Sequence, residues 1–289
     1  MQTTLAPSGR SRSWTRLRRN YLGLFGAVVV VMVVIIALLA PLLAPYDPAE
    51  QFFEGLTVEG APLAPNEKFL LGTDLLGRDL LSRLIYGARV SLAVGVIANV
   101  AALLIGTLLG TVAGYAQGFV GRIIMRFTDV MMAFPALLLA IALSAILRPS
   151  LWIVALVIAL VNWVQVARVA YAQVLTLAES EFVNAASALG AKRGRILLRH
   201  LVPHLVPTML VYGTLGVSTT VLLEATLSYL GVGVQPPTPS WGGIINESQS
   251  YFLTAPWLVA FPGVAILLTA VSFNLVGDAL RDALDPRSL

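Results

Sequence analysis

Residues 21–43 read YLGLFGAVVVVMVVIIALLAPLL, a run without a charge or a strongly polar side chain. A helix needs about 20 such residues to cross the hydrocarbon core of a bilayer. The run is too long for the apolar region of a signal peptide, and no small-x-small cleavage site clearly follows it, so it is expected to stay as an anchor. Five more charge-free stretches of this kind follow, at Val90–Gly114, Val130–Leu147, Leu151–Ala167, Leu205–Leu223 and Pro256–Gly277. Irregular backbone cannot sit in lipid, so these stretches predict six membrane-spanning helices despite their many β-branched residues. The third and fourth are short and separated by Arg148-Pro149-Ser150, which predicts a tight helical hairpin.

The composition agrees. Of 289 residues, 57% are hydrophobic and 12% are charged. A soluble domain carries about 25% charged residues, so lipid is expected to cover much of this surface. There is no cysteine, which excludes disulfides, thiolate metal sites and a cysteine nucleophile. The net charge of +4 is placed at particular points of the chain and does not call for a nucleic-acid partner.

Lys and Arg set the orientation. Arg10, Arg12, Arg16, Arg18 and Arg19 precede the first span, which assigns the N-terminus to the cytoplasm. Alternation then puts Arg122, Arg126, Arg168, Lys192, Arg193, Arg195, Arg199, Arg281 and Arg287 inside as well. Lys68, Arg78, Arg83, Arg89 and Arg148 fall outside. The expected organisation is a basic cytoplasmic tail at 1–20, a first span with an external loop at 21–89, and a five-helix core at 90–289 with a cytoplasmic loop at 171–204.

Outside the membrane, Gly72-Thr73-Asp74-Leu75-Leu76-Gly77-Arg78-Asp79 changes the character of a Pro- and acid-rich stretch. Asp79 reads as the N-cap of a short interfacial helix with Leu80, Leu81, Leu84, Ile85 and Ala88 on its apolar face. The acidic spacing lacks the alternating ligands and terminal Glu of an EF-hand, so a Ca²⁺ loop is the weaker reading. Asp74, Arg78, Asp79 and Arg83 are candidates for an external gate or a structural motif, at a mouth bearing both charge signs. Gly106, Gly110 and Gly114 share one face of the second span and allow another helix to approach closely. Asp129 and Glu224 lie in or beside spans near the expected interfaces, where water or a nearby Arg can stabilise them. His200 and His204 have the spacing of a zinc pair, but they lack a third ligand and flank Pro203 at a helix entry.

The cytoplasmic loop is the most informative segment. It runs EFVNAASALGA over 181–191 and KRGRILLRH over 192–200. Phe182, Ala185, Ala186 and Leu189 form an apolar stripe at helical spacing, and Gly190 suits the left-handed position that ends a helix. The stripe is built of alanines where a lipid anchor would have Leu or Trp, so the helix fits a protein groove better than a bilayer surface. The chain carries no G-x-x-x-x-G-K-[ST] loop, so any ATP must be bound by another polypeptide.

Here the sequence resembles the permease subunits of bacterial ABC importers, whose signature is E-A-A, three residues, G, nine residues, I-x-L-P. Asn184-Ala185-Ala186, Gly190 and Pro203 fall at the required positions, with Asn184 for Glu, His200 for Ile and Val202 for Leu. Leu71–Gly95 (LGTDLLGRDLLSRLIYGARVSLAVG), Met125–Pro135 (MRFTDVMMAFP), Leu227–Gly242 (LSYLGVGVQPPTPSWG) and Phe273–Arg287 (FNLVGDALRDALDPR) narrow the resemblance to the C-type subunits of the dipeptide/oligopeptide/nickel group. The resemblance implies an all-α membrane protein of the type I ABC importer permease (MetI-like) fold in the bacterial inner membrane. It implies a second, B-type permease subunit, two ATPase subunits that use ATP and Mg, and an external solute-binding protein. It assigns ATPase coupling to Glu181, Phe182, Asn184, Ala185, Ala186, Leu189, Gly190, Ala191 and Pro203. It implies no cofactor on this chain and no catalysis by it. Di- or oligopeptides are the expected cargo, with nickel or another small solute as the alternative. An ion-coupled transporter would need polar residues at mid-membrane and broken helices, and a membrane enzyme would need a polar catalytic cluster at one face. The sequence shows neither clearly.

Overall fold

A computed structural model describes residues 20–116, 118–147 and 150–284. The basic tail at 1–19, the Arg148-Pro149 break and Arg287 lie outside them. All regular elements among the described residues are helical. The α-helices are α1 (Tyr21–Leu38), α2 (Ala40–Leu43), α3 (Leu80–Ala116), α4 (Gly118–Ala133), α5 (Ala136–Ile146), α6 (Leu151–Ala178), α7 (Glu181–Ala188), α8 (Arg193–Ile196), α9 (Val202–Tyr229), α10 (Trp241–Glu247) and α11 (Trp257–Leu284).

Five helical stretches are long and apolar enough to cross a membrane, and the α4–α5 pair makes a sixth if it counts as one span. That pair corrects the third expected span. It is bent by 90° at Phe134-Pro135, because Pro135 has no N–H for the helix ladder and clashes with the preceding turn. A second correction concerns the short external helix. Leu80–Ala88 is the first turns of α3, which runs unbroken for 37 residues, about 55 Å. A division at 89/90 therefore falls inside one rigid helix. The fifth span also begins early. α8, a π-helical turn at Leu197–Leu201 and α9 follow without a gap, and the wide turn accommodates Pro203.

Packing fixes which helix ends share a side. Gly23 and Gly26 of α1 lie against Ala279 and Ser272 of α11, so a side chain at either glycine would overlap them. At its other end, Ala37 clusters with Ala88 and Leu92 of α3. Gly106, Gly110 and Gly114 bring α3 onto the backbone of α6 at Trp163, Ala167 and Tyr171. The start of α1, the end of α3, the α6–α9 connection and the end of α11 thus share one side. The 44–79 segment, the start of α6 and the α9–α11 connection share the other.

Hydrogen bonds between helices supplement this packing. Asn99 Nδ2 donates to the Gly213 carbonyl at 2.6 Å, and Gln173 Nε2 donates to Thr208 Oγ1 at 2.7 Å. Such bonds tie helices together where apolar attraction between them is weak, as it is in lipid.

Candidate functional site

Two charged regions stand at opposite ends of the bundle. The first is built on the turn at Gly72–Asp79. Gly77 adopts φ +72°, and its N–H donates to the Asp74 carbonyl at 3.0 Å. Only a glycine takes that left-handed conformation without strain. Asp79 caps α3, accepting from the Ser82 N–H at 2.8 Å and the Ser82 hydroxyl at 2.7 Å. Asp74 Oδ1 accepts from the backbone N–H of Leu76 and Arg78, at 2.9 and 3.0 Å. Its Oδ2 meets Arg78 Nε at 2.6 Å and Arg83 Nη1 at 3.1 Å. Both guanidinium groups also reach Glu247 Oε2, at 2.5 Å from Arg78 and 2.9 Å from Arg83.

This network corrects the expected charged mouth. Asp74, Arg78, Asp79 and Arg83 are all buried, Arg83 at 1% exposure. Two cations face two carboxylates, and Asp79 is committed to its cap, so these charges are paired within the fold. Sequence reading missed Glu247, which lies 169 positions from Arg78 and carries no local motif. It ends α10, where a carboxylate opposes the helix dipole and needs cations nearby.

α10 is itself wedged into the bundle. The Trp241 N–H donates to Ser91 Oγ at 3.2 Å, its indole N–H donates to the Leu84 carbonyl at 3.1 Å, and Gly242 abuts the Ala225 backbone. Beside it sits Glu224, expected near water but fully buried. Its Oε1 accepts from Ser228 Oγ at 2.7 Å. Asp129, near Arg126 in sequence, pairs instead with Arg168 of α6, each side chain about half exposed.

The second region is α7 and its turn. Gly190 sits at φ +78°, with its N–H to the Ser187 carbonyl at 2.9 Å and the Ala191 N–H to the Ala186 carbonyl at 3.1 Å. This pair of bonds is a Schellman motif and stops the helix. The expected stripe divides in two. Val183, overlooked in the sequence, is the buried anchor, in a cluster with Val174 of α6, Ile196 of α8 and Leu205 of α9. Ala186 and Ala191 turn toward the same cluster. Glu181, Asn184, Ala185, Leu189 and Gly190 are exposed, Leu189 at 88%. Phe182 stacks on His204 at 4.9 Å between ring centres, and His204 Nδ1 contacts the His200 carbonyl at 2.6 Å. Pro203 lies exposed at the head of α9. The result is a short helix bolted by one face to α6, α8 and α9, with the other face bare.

Comparison with known proteins places this architecture. Residues 106–289 match the family described as binding-protein-dependent transport system inner membrane component. Residues 10–65 match the N-terminal TM domain of oligopeptide transport permease C. The chain is 41% identical over 275 residues to the dipeptide transport system permease protein DppC of Alkalihalophilus pseudofirmus, covering 95% of this chain and 89% of that one. It is 43% identical to the di/tripeptide transport system permease protein DppC of Pseudomonas aeruginosa, over 97% and 93% of the two chains. It is 41% identical to the glutathione transport system permease protein GsiD of Escherichia coli, over 95% and 89%. In fold it is similar to a chain of the inward-facing MetNI methionine ABC transporter, with TM-score 0.60 and 17% identity, over 71% of this chain and 98% of that one.

Proposed function

The chain belongs to the family of binding-protein-dependent transport system inner membrane components, the permeases of ABC importers, and from that premise we propose that it forms the path for short peptides together with a second, similar permease subunit. Its relatives named for dipeptides, di- and tripeptides, and glutathione support this cargo, since all are short peptides or peptide-like. An external binding protein delivers the peptide, and two cytoplasmic ATPases drive the cycle with ATP and Mg.

The observation that carries the coupling is the bare face of α7. Ala185 and Leu189 are open to a partner, while Val183 ties the helix to α6, α8 and α9. A push on α7 is therefore a push on two transmembrane helices, which is how a partner can bias a two-state bundle. Glu181, Asn184 and Gly190 lie on the docking face. Phe182, Ala186, Ala191 and Pro203 support it from behind or beside.

The orientation follows from charge. Arg122, Arg126, Lys192, Arg193, Arg195 and Arg199 are exposed on the α7 side, which supports a cytoplasmic assignment for that side, with the start of α1 and the end of α11. Cysteines placed at Glu59 and Arg193 are expected to label from opposite sides of the membrane.

Uptake tests the cargo. Cells lacking this subunit are expected to lose growth on di- or oligopeptides as the sole amino-acid source. Unimpaired growth together with collapse of nickel-dependent enzyme activity would replace peptides with nickel.

A further inference from the structure

One stripe of α6 changes its surroundings partway through the membrane. Val154, Ile158, Val161, Gln165, Arg168, Ala172 and Thr176 follow one another at steps of three or four, so they lie on one face. Val154, Ile158 and Val161 are buried in a cluster with Ala140 of α5. Gln165, Arg168, Ala172 and Thr176 are exposed. The change comes where the α4–α5 unit bends by 90° at Phe134-Pro135, so that α5 covers the upper part of the stripe and leaves the lower part bare.

The bare part is polar and small. The lipid-type side of the same helix carries Trp152, Leu156 and Leu160, exposed at 68, 47 and 37%. Gln165 lies about 21 Å along α6 from Leu151, well within a core about 30 Å thick. Across from the stripe, Asp129 of α4 pairs with Arg168, the two side chains 45 and 47% exposed. An amide at that depth faces protein or water rather than lipid, and the ion pair lies about one turn nearer the α7 side. The bend adds a second demand. No side chain caps the first turn of α5, and interrupted backbone at membrane depth is tolerated only where protein or water covers it.

We propose that Gln165, Arg168, Ala172 and Thr176, with Asp129 opposite, line the inner half of a water-filled solute path whose far wall is the second permease subunit. This rests on the reading that the chain forms a path with such a subunit, but not on the identity of the cargo. The paired charges keep the wall polar and close to neutral overall, so it wets without holding a zwitterionic solute.

The chain has no cysteine, so single cysteines report cleanly by the mass shift of this subunit. Gln165→Cys, Ala172→Cys, Thr176→Cys and Leu156→Cys are placed in the assembled transporter in vesicles with the α7 side outward. A membrane-impermeant cationic thiol reagent is then added. Leu156 lies nine residues from Gln165, on the opposite side of α6. Gln165→Cys and Ala172→Cys are expected to react at least about tenfold faster than Leu156→Cys, since water reaches only the path-lining face. If Gln165→Cys does not assemble, Arg168→Cys, about 26 Å along α6 from Leu151, takes its place, since Ala172 at about 32 Å lies past the core. Reaction at Ala172→Cys and Thr176→Cys alone, with Gln165→Cys as slow as Leu156→Cys, would put water only at the membrane surface and overturn the proposal. Loss of the peptide assignment in uptake assays would leave these rates unchanged.

Discussion

The segments 72–83 and 181–199 look alike in sequence, as short charged stretches with a glycine turn, yet the fold uses them in opposite ways. In the 72–83 segment every charge is spent internally. Arg78 and Arg83 are clamped between Asp74 and Glu247, and Asp79 caps a helix. In the α7 segment, Lys192, Arg193, Arg195 and Arg199 are exposed, and apolar residues, Val183 and Ile196, do the anchoring. A charged motif that is buried and neutralised is scaffold. A charged and small-residue motif held rigid but left bare is, on the proposed function, a surface for a partner.

The sharpest way to break this contrast is Arg83→Leu. It leaves Asp74 and Glu247 short of a cation in a buried setting, at a cost of about 3–5 kcal/mol. The expected result is a large drop in the thermal midpoint of the detergent-solubilised chain and poor recovery from membranes. A midpoint near wild type would mean that the network is not the scaffold described.

Leu189→Asp should do the reverse. The side chain touches little of its own chain at 88% exposure, so the midpoint is expected to hold. Truncating or charging a central interface residue costs about 2 kcal/mol of association, roughly thirtyfold. Copurification of the ATPases measures that loss. If the chain unfolds and the ATPases still bind what remains, the two regions do not differ as argued.

Gly190→Ala sits between these. Nothing lies near a Cβ at Gly190, so the cost is conformational alone, about 1 kcal/mol for a left-handed φ of +78°. It should loosen the end of α7 and lower coupled uptake modestly, with less effect on assembly than Leu189→Asp. Asn184→Glu is the smallest change. Asn184 is exposed and its side-chain amide donates to the Glu179 carbonyl at 3.3 Å, a long bond at the surface, so uptake is expected to stay near wild type.

These regions also divide what is legible in sequence from what is not. Apolar run length revealed most of the spans, because bilayer thickness fixes helix length. The Asp79 cap and the Gly190 stop were legible, because each is settled within four residues. The Phe134-Pro135 bend was hidden inside an uncharged run that reads the same straight or broken. The continuity of α3 was obscured by Arg83 and Arg89, charges that read as an external loop until burial pairs one of them. Glu247 and the depth of Glu224 depend on how α10 wedges between α3 and α9, a contact across about 150 residues that no local pattern records. Val183 was passed over because alanine spacing drew attention to the open face, while the anchor occupies the other side of the same two turns.

The most direct test of the central claim, that α7 is the surface on which the ATPases act, is cross-linking from Leu189→Cys. In the assembled transporter, a short bifunctional thiol reagent is expected to join this residue to a cysteine-bearing ATPase subunit, with a yield that changes when ATP is added. The same reagent from Glu59→Cys should never reach the ATPase. A transporter that takes up solute normally, yet gives no cross-link at Leu189→Cys from any ATPase position in either nucleotide state, would contradict the account.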